Sequence, residues 1–152
     1  MTENDAAYHE LYVYTMGRLG FILQHVVDAN MAQRLEAGSK PMGAVFALVG
    51  LYLHVERGFT GAQVQQAHRI LGQRKREWPV ISLPTERGKL TPKDVLAAPA
   101  GAERDRAIDR WCEAVWAEFQ GSRDLIIRLV EEYQIIRPAG DKSTYPSERL
   151  RS

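Results

Sequence analysis

PMGAVFALVGLYLHVERG, residues 41–58, is the most apolar stretch of the chain. Apolar side chains surround most of the helix that this stretch predicts, so other helices must cover it on most sides. Gly43 and Gly50 lie seven residues apart on one face, where the missing side chains let a neighbouring helix approach closely. The stretch ends in three polar residues: His54, Glu56 and Arg57. It therefore predicts the central helix of an all-α bundle.

The bulk composition is that of an ordinary soluble domain. The chain has 152 residues, of which 45% are hydrophobic and 26% charged, and its formal net charge is +1. This balance lacks the charge surplus expected of a protein that binds nucleic acid or a membrane surface. The apolar part of the central stretch is too short to cross a bilayer, which needs about 20 residues. We expect neither a nucleic-acid nor a membrane partner.

The single cysteine and the amino terminus indicate a cytoplasmic protein. Cys112 has no second cysteine to pair with, so an intrachain disulfide is impossible and a reducing compartment fits best. The first ten residues, MTENDAAYHE, are acidic and polar, unlike a secretory signal.

Apolar periodicity and capping signals predict the remaining helices around the central one. The main helices are expected at residues 4–16, 21–37, 41–57, 61–75, 102–120 and 123–136, with a short one at 91–98. Residues 76–90 contain two prolines and a glycine and predict a long irregular connector, which the apolar residues Trp78, Val80, Ile81 and Leu83 are expected to hold against the bundle. We predict an all-α helical bundle of five to six helices. It forms one domain over residues 1–137, followed by a flexible tail at 138–152.

Two polar groups near the central stretch are the main candidates for chemistry. His25 and Asp28 lie three residues apart on one helical face, and His54 and Glu56 close the central helix. If the two helices pack together, these four side chains converge, and imidazoles and carboxylates on facing helices form metal or acid–base sites. The favoured alternative is a buried polar network that fixes helix register, with Arg57 or another arginine neutralising an acid.

The histidine spacing argues against a metal. No HxxxH, HExxH or Glu-x-x-His pair occurs in the chain, so we predict no metal and no cofactor. Arg69 and residues 74–76 form a small basic patch, which we interpret as complementing a helix dipole rather than binding phosphate. His9 and His68 are expected to lie on mostly solvated faces and are assigned no role.

The helix at 102–120 has the clearest amphipathic pattern. Its apolar stripe consists of Ile108, Trp111, Cys112, Val115, Trp116 and Phe119. Trp111 and Trp116 are candidates for lining a ligand pocket, although aromatic residues at this spacing more often belong to a core. Cys112 is interpreted as a small buried hydrophobe.

Four segments together resemble DUF5946, a bacterial family of small helical proteins of unknown function. They are VDANMAQ (27–33), LYLHVERG (51–58), GKLTPKDVLAA (88–98) and RWCEAVWAEF (110–119). The resemblance spans residues 21–133 and implies a helical bundle. The residues that match the family pattern are Asp28, Gln33, Glu56, Arg57, Trp111 and Trp116.

The chain also departs from that family. Members often carry a CxxC pair near the amino terminus, which this chain lacks, and Arg34 and residues 121–122 stand where family histidines are expected. If those histidines form a metal site of the type seen in DinB-like bundles, the resemblance implies that this chain has lost it. The family supplies no activity to carry over.

Two functional hypotheses remain. The leading one is a cytoplasmic binding or assembly component that forms a homo-oligomer or binds a protein partner, with Arg57, Trp111 and Trp116 as binding residues. The alternative is a metal-independent enzyme or ligand-binding protein with a polar pocket between the helices at 21–37 and 41–57. Its acid–base groups would be His25, Asp28, His54 and Glu56. The sequence leaves open whether the protein is an enzyme.

Overall fold

The apolar stretch forms a buried central helix, Pro41–Arg57 (α3). A computed structural model of the protein describes residues 2–17, 23–74 and 76–136. Every residue from Ala47 to Leu53 is buried, which covers the full circumference of the helix. The prediction of a central helix enclosed by others is confirmed.

The described residues contain seven α-helices and no strand, so the all-α class is confirmed. The other six are Glu3–Met16 (α1), Gln24–Gln33 (α2), Gly61–Gly72 (α4), Pro92–Leu96 (α5), Ala102–Glu118 (α6) and Arg123–Glu132 (α7). A 3₁₀ turn at Gln120–Ser122 joins α6 to α7. None of the described helices combines the length and the apolar character needed to cross a bilayer.

Capping residues set the helix starts that position the site. Thr60 accepts a hydrogen bond from the backbone of Gln63, whose side chain accepts one from the Thr60 backbone, as the sequence predicted. α1 starts earlier than predicted, because Thr2 forms the same reciprocal pair with Asp5. Each pair satisfies two backbone N–H groups that a helix start otherwise leaves open.

Helices α2, α4, α6 and α7 all pack against α3, and α1 lies mainly against α5. The six residues of the predicted apolar stripe on α6 are all buried. Cys112 is among them, and burial raises the pKa of its thiol well above the usual value. A buried thiol in this state is a packing residue rather than a nucleophile.

The predicted connector at 76–90 lacks helix and is held to the bundle by part of its apolar set. Ile81 is buried, and Trp78 and Leu83 pack against the core. The prediction that Val80 also anchors it is wrong, since this residue is 80% exposed. The predicted tail at 138–152, the helix start at Phe21, and Gly20 and Lys75 lie outside the described residues.

Candidate functional site

Two histidines from different helices stack face to face where α2 packs against α3. The ring centroids of His25 and His54 lie 3.6 Å apart, and the ring planes differ by 5°. His25 is only 4% exposed. The helix packing therefore brings together two of the four side chains proposed from the sequence as an acid–base group.

The turn after α3 fixes the orientation of the His54 ring. Gly58 adopts a left-handed conformation with φ of 70°, and the Phe59 N–H donates to the Leu53 carbonyl. This reversal aims the Phe59 carbonyl back at His54, whose Nδ1 lies 2.8 Å from that oxygen. On the other side of the ring, His54 Nε2 lies 3.0 Å from Asp109 Oδ1, a side chain of α6.

These two contacts define where hydrogens lie on His54. A carbonyl oxygen only accepts hydrogen bonds, so Nδ1 must carry a hydrogen. Nε2 faces a carboxylate oxygen, which also only accepts when it is ionised. The contact is therefore attractive only if Nε2 carries a second proton or if a cation lies between the two atoms.

The pKa values of His25, His54 and Asp109 are shifted in different directions. Burial and the neighbouring charge of His54 lower the pKa of His25 to about 3, so its ring is neutral near pH 7. Burial alone would lower the pKa of His54, but its hydrogen bonds to Asp109 and Phe59 outweigh burial and raise it. The same hydrogen bond from His54 lowers the pKa of Asp109. Without another ligand, the arrangement is a charged His54–Asp109 pair stacked on a neutral imidazole.

An open cavity of about 520 Å³ lies beside this cluster. It is lined by Leu23, His25, His54, the segment 58–62, Asp105, Ile108 and Asp109. Most of the wall is apolar, and the polar side chains approach it from α2, α3 and α6. Its size lies within the range of small-molecule sites, roughly 300–1,000 Å³.

His25 also has a buried polar atom that is unsatisfied. Its Nδ1 is buried and has no hydrogen-bond partner. A buried polar atom without a partner destabilises a fold by about 1–3 kcal/mol. No hydrogen bond within the described structure offsets this cost at the His25 ring.

His25, His54 and Asp109 also form a group that can hold a metal ion. Each offers one ligand atom, and these atoms lie within 4.8 Å of one another. Two imidazoles and one carboxylate are a donor set that several first-row transition metals accept.

Asp28 does not join this cluster but lies in a dry contact with α3 and α4. Its Oδ1 accepts a hydrogen bond from Gln24, while Oδ2 has no partner. His68 Nε2 lies 3.6 Å from Oδ2, and its hydrogen bond goes instead to the Phe46 carbonyl, 2.8 Å away. The expectation that His68 is mostly solvated is wrong, since its side chain is 16% exposed.

Glu56 also points away from the histidines and belongs to a separate network. Its carboxylate accepts a 2.6 Å hydrogen bond from the Trp116 indole and pairs with Arg123, whose Nη2 lies 2.6 Å away. The hydrogen bond from Arg123 has the largest effect on the pKa of Glu56 and lowers it. The Trp116 indole lowers it further, and together they outweigh burial, which raises it. Arg57 is exposed and does not line the cavity.

The candidate binding residues Trp111 and Trp116 are core side chains, and neither lines this cavity. The Trp111 indole donates to Gln33 Oε1, and Gln33 Nε2 donates to the Leu90 carbonyl. Gln33 therefore ties α2, the connector and α6 together. Three residues of the family pattern are buried in the bundle: Asp28, Trp111 and Trp116.

Two arginines of the basic patch, Arg74 and Arg76, contact side chains near the end of α7. The Arg74 guanidinium lies 4.2 Å from the centre of the Tyr133 ring, and Arg76 pairs with Glu132. These contacts hold both arginines against the C-terminal end of α7.

Sequence reasoning missed Asp109 altogether. It lies on the polar face of α6, among many charged residues, and only the packing of α6 on α3 distinguishes it from them. The one available signal is its position directly after Ile108, at the edge of the apolar stripe, where a polar side chain can reach across a helix interface.

Comparison with known proteins gives a family but no activity. No curated protein and no solved structure matches the chain significantly. The model of a family of unknown function, DUF5946, matches residues 5–120, which include most of α1, all of α2 to α6 and all three residues of the His25–His54–Asp109 cluster. On this match, the chain belongs to the DUF5946 family.

Proposed function

We propose that the protein binds a small organic molecule in the cavity beside His25, His54 and Asp109. The observation that carries the proposal is an open cavity of about 520 Å³ with three convergent polar side chains, His25, His54 and Asp109, on its wall. The proposal corresponds to the alternative hypothesis of an enzyme or ligand-binding protein, but with a different set of polar residues. Asp109 takes the place given there to Asp28 and Glu56.

The cavity has the composition of a small-molecule site. An apolar wall supplies burial for a hydrocarbon or aromatic part of a ligand, and a few convergent polar groups fix its orientation. Leu23, Phe59 and Ile108 contribute apolar side chains to the lining. The chemistry favours a ligand with an apolar body and a polar end directed at the histidines.

The polar wall is poorly explained as a device for stability. The Asp109 side chain is 58% exposed, and an ion pair with an exposed partner typically adds only about 0–1 kcal/mol to stability. His25 adds an unsatisfied atom to that pair. A structural role would favour the satisfied networks seen at Glu56 and Gln33 instead.

A cavity-filling variant tests the proposal on the metal-free protein. Ala62 is exposed, belongs to the first turn of α4 and lines the cavity, so Ala62→Trp places an indole across it. Fluorinated aromatic fragments are titrated, and binding is followed by fluorine NMR line broadening. We expect wild-type binding and an affinity loss of about tenfold or more in the variant, equivalent to about 1.4 kcal/mol.

The matched control is Ala117→Trp, on the exposed face of α6 outside this cavity. It adds the same indole to a helix surface and should leave fragment affinity unchanged. If no fragment binds, or if both tryptophan variants bind as the wild type does, the proposal is wrong.

The expected assembly role stays a prediction with weaker support. Met31 and Met42 are 45% and 47% exposed and border a shallow apolar groove that also includes Phe46. No described contact indicates what would cover this groove, whereas the cavity has polar groups directed at a ligand.

A further inference from the structure

The donor atoms on the cavity wall are arranged in a way that also suits a metal ion. His54 Nε2 and Asp109 Oδ1 lie 3.0 Å apart. Two ligand atoms on one transition-metal ion, each about 2.0–2.2 Å from it, lie about 2.8–3.6 Å apart in octahedral or tetrahedral geometry. The pair is therefore already spaced as two ligands of one ion.

The hydrogen bond at the far side of the His54 ring supports the same conclusion. A metal-binding histidine usually donates its other ring N–H to a carboxylate or a backbone carbonyl, which fixes its tautomer and orientation. His54 has that bond, 2.8 Å from Nδ1 to the Phe59 carbonyl, and it leaves Nε2 as the nitrogen that faces Asp109.

His25 supplies the third donor. It is a buried imidazole, and one of its ring nitrogens lies within 4.8 Å of the ligand atoms of His54 and Asp109. The lone pairs of two parallel stacked rings run side by side, so both histidines reach one ion only when the rings tilt apart. Ion binding should therefore open the 3.6 Å stack.

We infer that His25, His54 and Asp109 bind a divalent first-row transition-metal ion at the wall of the cavity. Three protein ligands leave at least one coordination position open, as in catalytic zinc sites. The inference rests on the proposed function in one respect: the open position would face the molecule in the cavity. There the ion would act as a Lewis acid on a ligand oxygen or nitrogen.

Asp109 offers the sharpest test, because its side chain is 58% exposed and its replacement should leave the fold intact. Untagged protein is stripped with a chelator and titrated with Co²⁺, followed by visible absorption, and with Zn²⁺, followed by calorimetry. We expect one ion per chain. Asp109→Asn and His54→Gln should each lower the affinity by about 100-fold or more, since even outer-sphere losses cost 10–100-fold.

Asp105→Asn is the matched control. Asp105 lies one turn before Asp109 on α6 and lines the same cavity, but it is outside the three-residue donor group. The control removes an equal charge from the same wall and should change ion affinity less than about threefold, the scale of a surface charge effect.

Two results would overturn the inference: no stoichiometric ion in the wild type at micromolar concentrations, or an equal loss in Asp105→Asn and Asp109→Asn. The second result would indicate nonspecific attraction to an acidic wall.

Proton NMR of the histidine rings gives an independent readout. Zn²⁺ should shift the His25 and His54 ring signals as the stack opens, and unchanged signals at saturating Zn²⁺ would place the ion elsewhere. Failure of this inference is distinguishable from failure of the proposed function. Fragment binding to the metal-free protein tests the cavity, and ion binding without fragments tests the metal site.

Discussion

The carboxyl group of Asp28 occupies the space that a Cβ atom on Gly50 would need. The two residues lie where α2 crosses α3, and the absence of a side chain at position 50 lets the acid lie directly on the helix backbone. The sequence predicted such a close approach at both Gly43 and Gly50. It is confirmed at Gly50 and wrong at Gly43, where an added Cβ meets no atom within 4 Å.

We predict opposite effects from the same substitution at these two glycines. Gly50→Ala forces the buried Asp28 carboxyl to move and should lower the free energy of unfolding by about 1–3 kcal/mol, the usual range for overpacking. Gly43→Ala meets open space and should raise it by up to about 1 kcal/mol, because alanine is the better helix former. Urea unfolding of both variants measures the difference. Equal effects would mean that the Asp28–Gly50 contact is not maintained in solution.

The buried acid also predicts a dependence of stability on pH. Burial raises the pKa of Asp28 well above its usual value, against a smaller opposing effect of the Gln24 hydrogen bond. The folded protein keeps this proton at pH values where the unfolded chain has lost it. The free energy of unfolding should therefore fall as the pH rises from about 4 towards the folded-state pKa.

Asp28→Asn isolates this effect. The amide cannot ionise, so the variant should match the wild type near pH 4 and become progressively more stable than it as the pH rises. Burial lowers the pKa of the neighbouring His68, which destabilises both proteins below about pH 6.5 and so largely cancels in the comparison. Urea unfolding across this range gives the difference directly, and a difference independent of pH would contradict the prediction.

The turn at Gly58 should control the metal site without contributing a ligand. Alanine in a left-handed conformation costs about 1–2 kcal/mol, and relief of that strain moves the Phe59 carbonyl away from His54 Nδ1. Gly58→Ala should therefore reduce stability by about that amount and also weaken Co²⁺ binding by about tenfold or more, as expected for loss of an orienting hydrogen bond.

Gly88→Ala separates the two effects. Gly88 also has a positive φ, of 89°, but it lies in the connector, away from the cavity. The control should lose a similar amount of stability while binding Co²⁺ as the wild type does. Equal ion affinity in both variants would show that the Phe59 hydrogen bond does not orient His54.

The sequence predicted the elements of this fold well because they depend on local patterns. The run of apolar residues required a covered helix, and the spacing of Trp111, Cys112 and Trp116 required a buried stripe. The predicted site was less accurate, since it depends on which helix faces meet. Residues two apart on a helix point about 200° apart. That angle already separates His54 from Glu56, although both close the same helix.

Metal-ligand spacing within one segment could not have indicated the candidate donor group, for a related reason. Motifs such as HxxxH detect two ligands on one helix, whereas the candidate donors here come from α2, α3 and α6. No spacing within one segment indicates that His25, His54 and Asp109 meet. The expectation of no metal was based on the absence of such local motifs, which do not report on ligands from separate helices.

A last prediction distinguishes a functional His25 from a structural one. His25→Phe keeps an aromatic ring stacked on His54 and removes the unpartnered Nδ1. It should raise the free energy of unfolding by about 1 kcal/mol, because it removes the cost of an unsatisfied buried polar atom. The same variant should lose most of its Co²⁺ affinity.

His68→Phe is the comparison, because that ring makes the hydrogen bond that His25 lacks. His68 Nε2 donates to the Phe46 carbonyl over 2.8 Å, so the substitution should lower stability by about 1 kcal/mol and leave Co²⁺ binding intact. Urea unfolding and Co²⁺ titration of the two variants give four values. A stability loss in His25→Phe equal to that in His68→Phe would show that His25 serves packing. A gain in stability with a loss of ion binding would show that the fold retains His25 for its ligand.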